Sequence, residues 1–335
     1  MKYLIIALFI FLIVFSCKQK KESFPSHFPL PSRTLTNEKE AELGKLLFFE
    51  PSLSGNGKLS CASCHIPSRA FSDTLSFSIG AKGELTSRNT PSLVNLAWAK
   101  DFFWDGGVHD LETQIIASVT SAREMNESFA SILKKLNSKK IYQDKFREVY
   151  GDSITGQHII HAIAAFELTL VSGSSAYDEY LLNKNSLTPL QEKGKLLFEQ
   201  KCAICHTGVL FTDNKFHNTG LDSIFPPMQQ FDNPLLGRAR ITQNASDIGK
   251  YRTPSLRNLN LTAPYMHDGR FTTIRQVLSH YSSGVNKSIY TDSLFIHNKR
   301  TGIALTEEDK NALVDFLQTL TDSTFIKDNS SFNKK

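Results

Sequence analysis

The residues best suited to chemistry in this chain form the pattern Cys-x-x-Cys-His, which occurs twice. The first copy is Cys61–His65 and the second is Cys202–His206. Each follows a stretch that begins with the same five letters, GKLLF, at Gly44 and at Gly194. Cys-x-x-Cys alone is compatible with a redox dithiol, half of a zinc site or the thioether attachment of haem c. The repetition predicts two similar units with the same chemistry.

The histidine that follows the second cysteine separates these readings. When both sulfurs are bonded to haem, the next imidazole lies under the iron as its proximal ligand. A redox dithiol needs no such histidine, and the halves of a zinc ribbon lie about 15–20 residues apart, much closer than these motifs do. The sequence therefore predicts two covalently bound haem c groups. Their attachment and iron-binding residues are Cys61, Cys64 and His65, and Cys202, Cys205 and His206.

The N-terminus has the pattern of an export signal. An apolar run from Leu4 to Phe15 is too short to span a bilayer and ends in the letters VFSC, which resemble a lipobox with Cys17 as the lipidated residue. A plain secretory signal is the alternative. We expect residues 1–17 to be the signal sequence and residues 18–35 a flexible tether. The mature protein is predicted to be periplasmic and held at a bacterial membrane only by its lipid.

Composition narrows the class of protein further. The chain has 335 residues, 40% of them apolar and 21% charged, which is ordinary for a globular protein of about two domains. Much of its formal charge of +5 comes from lysines at the two ends, and the other basic residues are scattered among acidic ones, so we expect no nucleic-acid partner. If Cys17 is lipidated, the other four cysteines all lie in the two motifs, and none is left for a structural disulfide.

The pattern of apolar residues predicts an all-α fold of two cytochrome-c-like haem domains in tandem, at residues 36–175 and 186–325. Thr188, Pro189 and Gln191 predict the start of a helix with a capping box before the second motif, and Thr36 is expected to begin a similar helix before the first. Apolar residues recur at helical spacing from Ile159 to Leu170 and again near the C-terminus. Nothing in the chain has the alternation of an extended sheet.

The two predicted haems differ in their candidates for a sixth iron ligand. No His or Met lies between His65 and Trp104, so we expect the first haem to lack a strong distal ligand. In the second half, several residues remain open as ligands on sequence grounds: Met228, Met266, His267, His280 and Tyr281. An open iron can react with peroxide, whereas a fully coordinated iron stores or relays electrons. The sequence favours one haem of each kind.

Three long segments resemble the bacterial dihaem cytochrome c peroxidase family, including its MauG branch. They are SCASCHIPSRAFSD, SRNTPSLVNLAWAKDFFWDGGVHDLETQ and YRTPSLRNLNLTAPYMHDGRFTTIRQVLSHY, and the resemblance extends over about residues 36 to 320. It implies reduction of hydrogen peroxide to water with electrons from a small cytochrome c or a similar donor. It is also compatible with a homodimer.

The resemblance also implies roles for particular residues. Trp104 falls on the family's route between the haems, Gln114 on its distal-pocket glutamine and Glu124 on its acid-base glutamate. The positions that hold a calcium ion between the domains, largely through carbonyl oxygens, match Asn89, Thr262 and Pro264. Without the resemblance, Trp104 could equally be a core residue, and Gln114 and Glu124 could be solvated helix residues.

The chain departs from the family's standard peroxidases at two positions. Ala81 stands where they carry a distal histidine on the first haem, which implies a permanently open iron. Tyr281 aligns with their methionine ligand on the second haem, as in the MauG branch, and His280 is the neighbouring alternative. A MauG-like oxidase acting on a partner protein or a small molecule is therefore the main alternative function. A non-catalytic dihaem electron carrier is the other.

Overall fold

The computed structural model describes residues 24–34, 37–297 and 300–330, and this part of the chain is mainly helical, as predicted. Cys17 and the predicted signal sequence lie outside the described residues. The first half contains five helices among its described residues: α1 (Glu38–Phe48), α2 (Leu111–Thr120), α3 (Phe129–Asn137), α4 (Lys140–Tyr150) and α5 (Gly156–Leu168). The segment that links the halves holds α6 (Ala176–Leu181).

The second half has longer loops between its helices. Its helices are α7 (Pro189–Lys201), α8 (Ala239–Thr242), α9 (Ile274–Ser279), α10 (Glu307–Gln318) and α11 (Ser323–Ser330). Two antiparallel pairs of two-residue strands accompany them: β1 (Phe216–His217) with β2 (Tyr251–Arg252), and β3 (Ile296–His297) with β4 (Arg300–Thr301). No helix in the described part of the chain is long and apolar enough to cross a membrane.

Helix starts follow the predicted capping chemistry. Thr188 accepts from the backbone N–H of Gln191, whose side chain in turn accepts from the backbone N–H of Thr188, so α7 begins with the predicted capping box. Before the first motif the cap is Asn37, which accepts from the N–H groups of Lys39 and Glu40. Thr36, the predicted start of α1, lies outside the described residues.

The repeated GKLLF sequence lies in two helices that pack in the same way against a partner helix. In the first half α1 packs against α5, and in the second half α7 packs in the same way against α10. A side chain at Gly44 would overlap the carbonyl oxygen of Ala162, and one at Gly194 would overlap that of Ala312. The motif glycine therefore lets the two helix backbones approach closely in both halves.

Each half has its own main apolar core. The largest cluster of the first half draws on α1 to α5, with fully buried residues such as Leu47 and Ile163. The cluster of the second half includes Phe198 of α7 and Phe316 of α10. The C-terminal helix α11 crosses to the first half, where Phe325 packs in a cluster with Phe71.

The structure corrects the prediction of a flexible tether for residues 24–34. Phe24 and Phe28 pack edge-on against Trp98, with ring centroids 5.3 and 5.2 Å from it. The Trp98 indole N–H donates to the carbonyl of Pro29 at 2.9 Å. Close by, His27 Nε2 lies 2.7 Å from Asp178 Oδ1. The aromatic side chains and these polar bonds fix a segment whose prolines and polar residues suggested a linker.

Candidate functional site

The histidines of the two motifs are held in the same way. His65 Nδ1 lies 2.9 Å from the carbonyl oxygen of Phe71, and His206 Nδ1 lies 3.1 Å from that of Phe211. A carbonyl can only accept, so Nδ1 carries the proton and Nε2 is left as a free metal ligand. Phe71 and Phe211 both have left-handed backbones, with φ of 58° and 54°. The two loops thus present matching ligands, as haem attachment requires.

Three of the four motif cysteines lie in surroundings that disfavour redox exchange. All four are free in the structure. Burial raises the pKa of Cys61 and of Cys202 to about 12, and that of Cys64 to about 11. A reactive dithiol needs a lowered thiol pKa, so these environments disfavour that reading.

A cavity of about 690 Å³ surrounds the second motif. Cys202, Cys205 and His206 line it, together with apolar side chains such as Leu313 and Leu317 from α10. Its volume lies within the usual range for cofactor sites, about 300–1,000 Å³. The free Nε2 of His206 and the mainly apolar wall fit a haem, which would be held by these three motif residues.

Tyr281 and His280 are placed differently with respect to this cavity. Tyr281 lines it, and burial raises the pKa of its phenol, with smaller contributions from Cys205 and Cys202. His280 Nε2 instead donates to the carbonyl of Thr219 at 3.0 Å. Of the two, Tyr281 has the side chain directed at the second haem site. Met266 and His267 also line the cavity, whereas Met228 packs in a separate cluster.

The predicted distal-pocket glutamine and the predicted acid-base glutamate of the first site both hydrogen-bond the same serine. Gln114 on α2 donates to Ser118 Oγ at 3.0 Å, and Ser118 also hydrogen-bonds the carboxyl of Glu124. Burial raises the pKa of Glu124, and hydrogen bonds from Ser118 and Ser121 partly oppose that rise. The backbone N–H of Ala81 donates to the carbonyl of Glu124 at 2.7 Å. The structure therefore brings Gln114, Glu124 and Ala81 together.

Trp104 lies where the two halves meet. Its indole N–H donates to the carbonyl of Asn89 at 2.8 Å, and its own carbonyl accepts from the N–H of Arg252 at 2.8 Å. The N–H of Asn89 in turn donates to the carbonyl of His267 at 2.9 Å. Trp104 also lines the cavity of the second haem. Its indole is thus fixed between the first half and the second haem site.

The three residues predicted to bind calcium line the same cavity. They are Asn89, Thr262 and Pro264. The side-chain N–H groups of Asn89 face the carbonyls of Leu75 and Ser76, at 3.1 and 3.4 Å. This leaves the Asn89 amide oxygen for another partner, and an uncharged oxygen of this kind suits a hard cation. The donor chemistry therefore fits calcium.

Sequence reasoning missed two polar groups near the motifs, His217, which is half-buried, and Glu167, which is buried. His217 lies 2.6 Å from Asp292 Oδ2 and 3.0 Å from Asp213 Oδ2, and lines the second cavity. Glu167 is buried on α5. Glu167 could have been found, because it falls on the apolar stripe between Ile163 and Leu170, where a glutamate is out of place. His217 gave no comparable signal.

Comparison with known proteins identifies the family. A family model described as di-haem cytochrome c peroxidase matches residues 38–186. The methylamine utilization protein MauG of Methylorubrum extorquens is 38% identical over 304 residues, covering 88% of this chain and 82% of the relative. Cytochrome c551 peroxidase of Nitrosomonas europaea is 36% identical over 253 residues, covering 75% of each.

Solved structures agree with these relatives. A MauG-like protein associated with microbial copper homeostasis superposes with a TM-score of 0.83 at 33% identity, covering 91% of this chain and 96% of the other. The diheme peroxidase BthA of Burkholderia thailandensis superposes with a TM-score of 0.74 at 25% identity, covering 88% of each. Together with the paired histidine loops, these matches show that the chain is an oxidoreductase belonging to the di-haem cytochrome c peroxidase family.

Proposed function

We propose that this protein reduces hydrogen peroxide to water at the first haem site with electrons from a cytochrome c or a similar donor. Each peroxide takes up two electrons and two protons and yields two molecules of water. The observation that carries the proposal is the grouping of Gln114, Ser118 and Glu124 beside Ala81. It supplies a hydrogen-bonding amide and a buried carboxyl at one place.

The haem iron, when bound, supplies the site for peroxide and the redox equivalents. Glu124 accepts a proton from one peroxide oxygen and delivers it to the other, which makes the departing oxygen a better leaving group. Gln114 holds the peroxide by hydrogen bonding. The raised pKa of Glu124 moves the titration of its carboxyl toward neutral pH, where the group can both accept and donate a proton. Trp104, bonded to both halves, lies on the route by which electrons reach the first site from the second.

We also propose the finer features that the sequence predicted. The two halves, each with its own helix pair and histidine loop, would be cytochrome-c-like domains in tandem, with Tyr281 as the distal ligand of the second haem. Asn89, Thr262 and Pro264 would hold a calcium ion between them. The lipobox-like Cys17 supports a periplasmic protein with a lipid anchor.

A MauG-like oxidase is the second candidate, and two residues favour it. Ala81 removes the distal histidine, and Tyr281 would stabilise ferric iron and lower the potential of the second haem relative to thioether ligation. The open first iron needs no reductive activation, and the lower potential of the second haem would make electron entry from a high-potential cytochrome harder. The substrate would then be a residue of a partner protein or a small molecule.

Turnover with reduced cytochrome c separates the two candidates. The holoprotein is mixed with reduced cytochrome c and hydrogen peroxide, and oxidation of the cytochrome is followed by its absorbance. We expect two molecules of cytochrome oxidised per peroxide, over many cycles. Consumption of one equivalent of peroxide without steady oxidation of the cytochrome would contradict the peroxidase and support the MauG-like oxidase.

A further inference from the structure

Glu167 is a buried carboxyl that the proposed reaction does not use. It lies on α5 and is 4% exposed. Its Oε2 atom has no hydrogen-bond partner among the described residues. Burying an unpaired carboxylate is costly, so such a group tends to remain protonated unless its surroundings change. Such a residue lowers the stability of the fold, which suggests that its ionisation has a role in the protein's activity.

The internal repeat shows what this position faces. Ala162 and Phe166 of α5 meet Gly44, just as Ala312 and Phe316 of α10 meet Gly194. Continuing this match by one residue pairs Glu167 with Leu317, which lines the cavity of the second haem. A leucine therefore satisfies the packing at this position, and the first half carries a carboxyl there instead.

Two groups, Cys61 and Glu112, interact electrostatically with Glu167. Its charge contributes to the raised pKa of Cys61, so the carboxyl is within electrostatic range of an attachment residue of the first haem. Burial, and then the charge of Glu112 on α2, raise the pKa of Glu167 to about 8. Glu112 lines a surface cavity together with His161, which lies on α5 like Glu167 itself. Glu112 thus interacts electrostatically with the buried carboxyl and also lines this surface cavity.

We propose that Glu167 is the proton-exchanging group of the first haem site. When the haem held by Cys61, Cys64 and His65 gains one electron, the Glu167 carboxylate binds one proton from solvent, and it releases that proton when the electron leaves. Only an O–H bond forms or breaks. The added electron raises the proton affinity of a nearby carboxylate, because the site has become more negative by one charge. The inference rests on the proposed haem attachment but not on peroxide chemistry.

The test is the pH dependence of the reduction potential of the first haem, measured by spectroelectrochemistry on the holoprotein. In the wild type, we expect this potential to fall as pH rises through the region around 8, because the reduced state binds the proton more tightly. Glu167→Gln keeps the shape of the side chain without its titration, and Glu167→Leu copies the second half. Both should give a potential that is independent of pH in this range.

Glu112→Gln tests the electrostatic interaction between Glu112 and Glu167. Removing this like charge lowers the pKa of Glu167, so the pH-dependent range should move to lower pH without disappearing. Glu167→Leu should also raise the Tm, because it removes an unpaired buried carboxyl. A pH-independent potential in the wild type, or an unchanged slope in Glu167→Gln, would overturn the proposal. Because no peroxide is present, failure of the peroxidase assay leaves this result unaffected.

Discussion

Both proximal histidines donate to main-chain carbonyls, and this choice of partner affects the iron they would bind. A carboxylate partner would make the imidazole more basic and favour the more oxidised metal, whereas the carbonyls of Phe71 and Phe211 are neutral acceptors. In this hydrogen bond the two sites do not differ. We expect other side chains to distinguish them: Glu124, proposed for the first site, and Tyr281, which lines the second cavity.

Replacing Glu124 by Gln tests the acid-base role. The variant should bind both haems, because the carboxyl is not an attachment residue, but its peroxide turnover should fall about 100-fold or more, in the range for loss of a general acid-base group. Haem content by absorbance and turnover with reduced cytochrome c give the two measurements. Undiminished turnover would remove Glu124 from the mechanism.

The pH dependence of the wild type gives a second check on Glu124. The carboxylate must accept a proton, so turnover should fall as pH drops through its pKa. Because burial raises that pKa, the fall should begin above the 4.5 of an ordinary glutamate.

At the residue scale, the sequence predicted what a short motif states directly. Cys-x-x-Cys-His specifies attachment and proximal ligand because both depend on local spacing. Gln114 and Glu124 were predicted only through the resemblance, since the Ser118 bridge that links them depends on how α2 meets the following loop. Glu167 and His217 were missed because burial of a polar side chain depends on tertiary packing.

At the scale of elements, the GKLLF repeat is explained by helix crossing. Gly44 and Gly194 occupy the points at which α1 and α7 lie against their partner helices. Leu47 and Phe48, which follow Gly44, are fully buried. The five residues recur because each half contains the same close contact between two helices. Helical periodicity in the sequence predicted these helices.

Gly44→Ala should destabilise the protein measurably. The new methyl group would overlap the carbonyl oxygen of Ala162, so the helices must separate, at a cost of about 1–3 kcal/mol despite the better helix propensity of alanine. Thermal or denaturant unfolding of the holoprotein measures the change.

Gly156→Ala is the matched control for this substitution. Gly156 is also a helical glycine, at the start of α5, but a Cβ there would approach no heavy atom closer than 3.5 Å. Its stability should stay unchanged or rise by about 0.4–1 kcal/mol. Equal losses in both variants would contradict the close-packing explanation.

The segment before α1 shows what element-level reasoning could not provide. Proline-rich, polar residues predicted a tether, yet His27 meets Asp178, whose carboxyl also pairs with Arg257 through bonds of 2.8 and 2.7 Å. Asp178 and Arg257 are both distant from His27 in sequence, and their side chains are only 1% exposed. Local composition contains no information about such contacts.

At the scale of the whole molecule, the halves are joined through the backbone around Trp104 and Asn89. The carbonyl of Trp104 accepts from the N–H of Arg252, and the N–H of Asn89 donates to the carbonyl of His267. Arg88 adds a second connection, with its guanidinium donating to the carbonyl of Pro234 and, at 3.0 Å, to the hydroxyl of Tyr251. The sequence could not predict this junction, because it depends on how two similar halves dock.

Removing the proposed calcium ion should disturb this junction. Treatment of the holoprotein with a chelator would free the Asn89 oxygen, and we expect altered absorption spectra of both haems together with a lower Tm. Adding calcium, but not magnesium, should restore both, because magnesium requires a tighter octahedral site. Spectra and Tm that ignore the chelator would contradict a calcium ion at this place.

The central claim is that the first haem iron keeps an open position while the second is fully coordinated. Electron paramagnetic resonance of the oxidised holoprotein, before and after one equivalent of hydrogen peroxide, tests it most directly. The account predicts a high-spin ferric signal that peroxide abolishes, and that persists longer in Glu124→Gln. Two low-spin signals that ignore peroxide, even after partial reduction, would contradict it and leave a protein that only carries electrons.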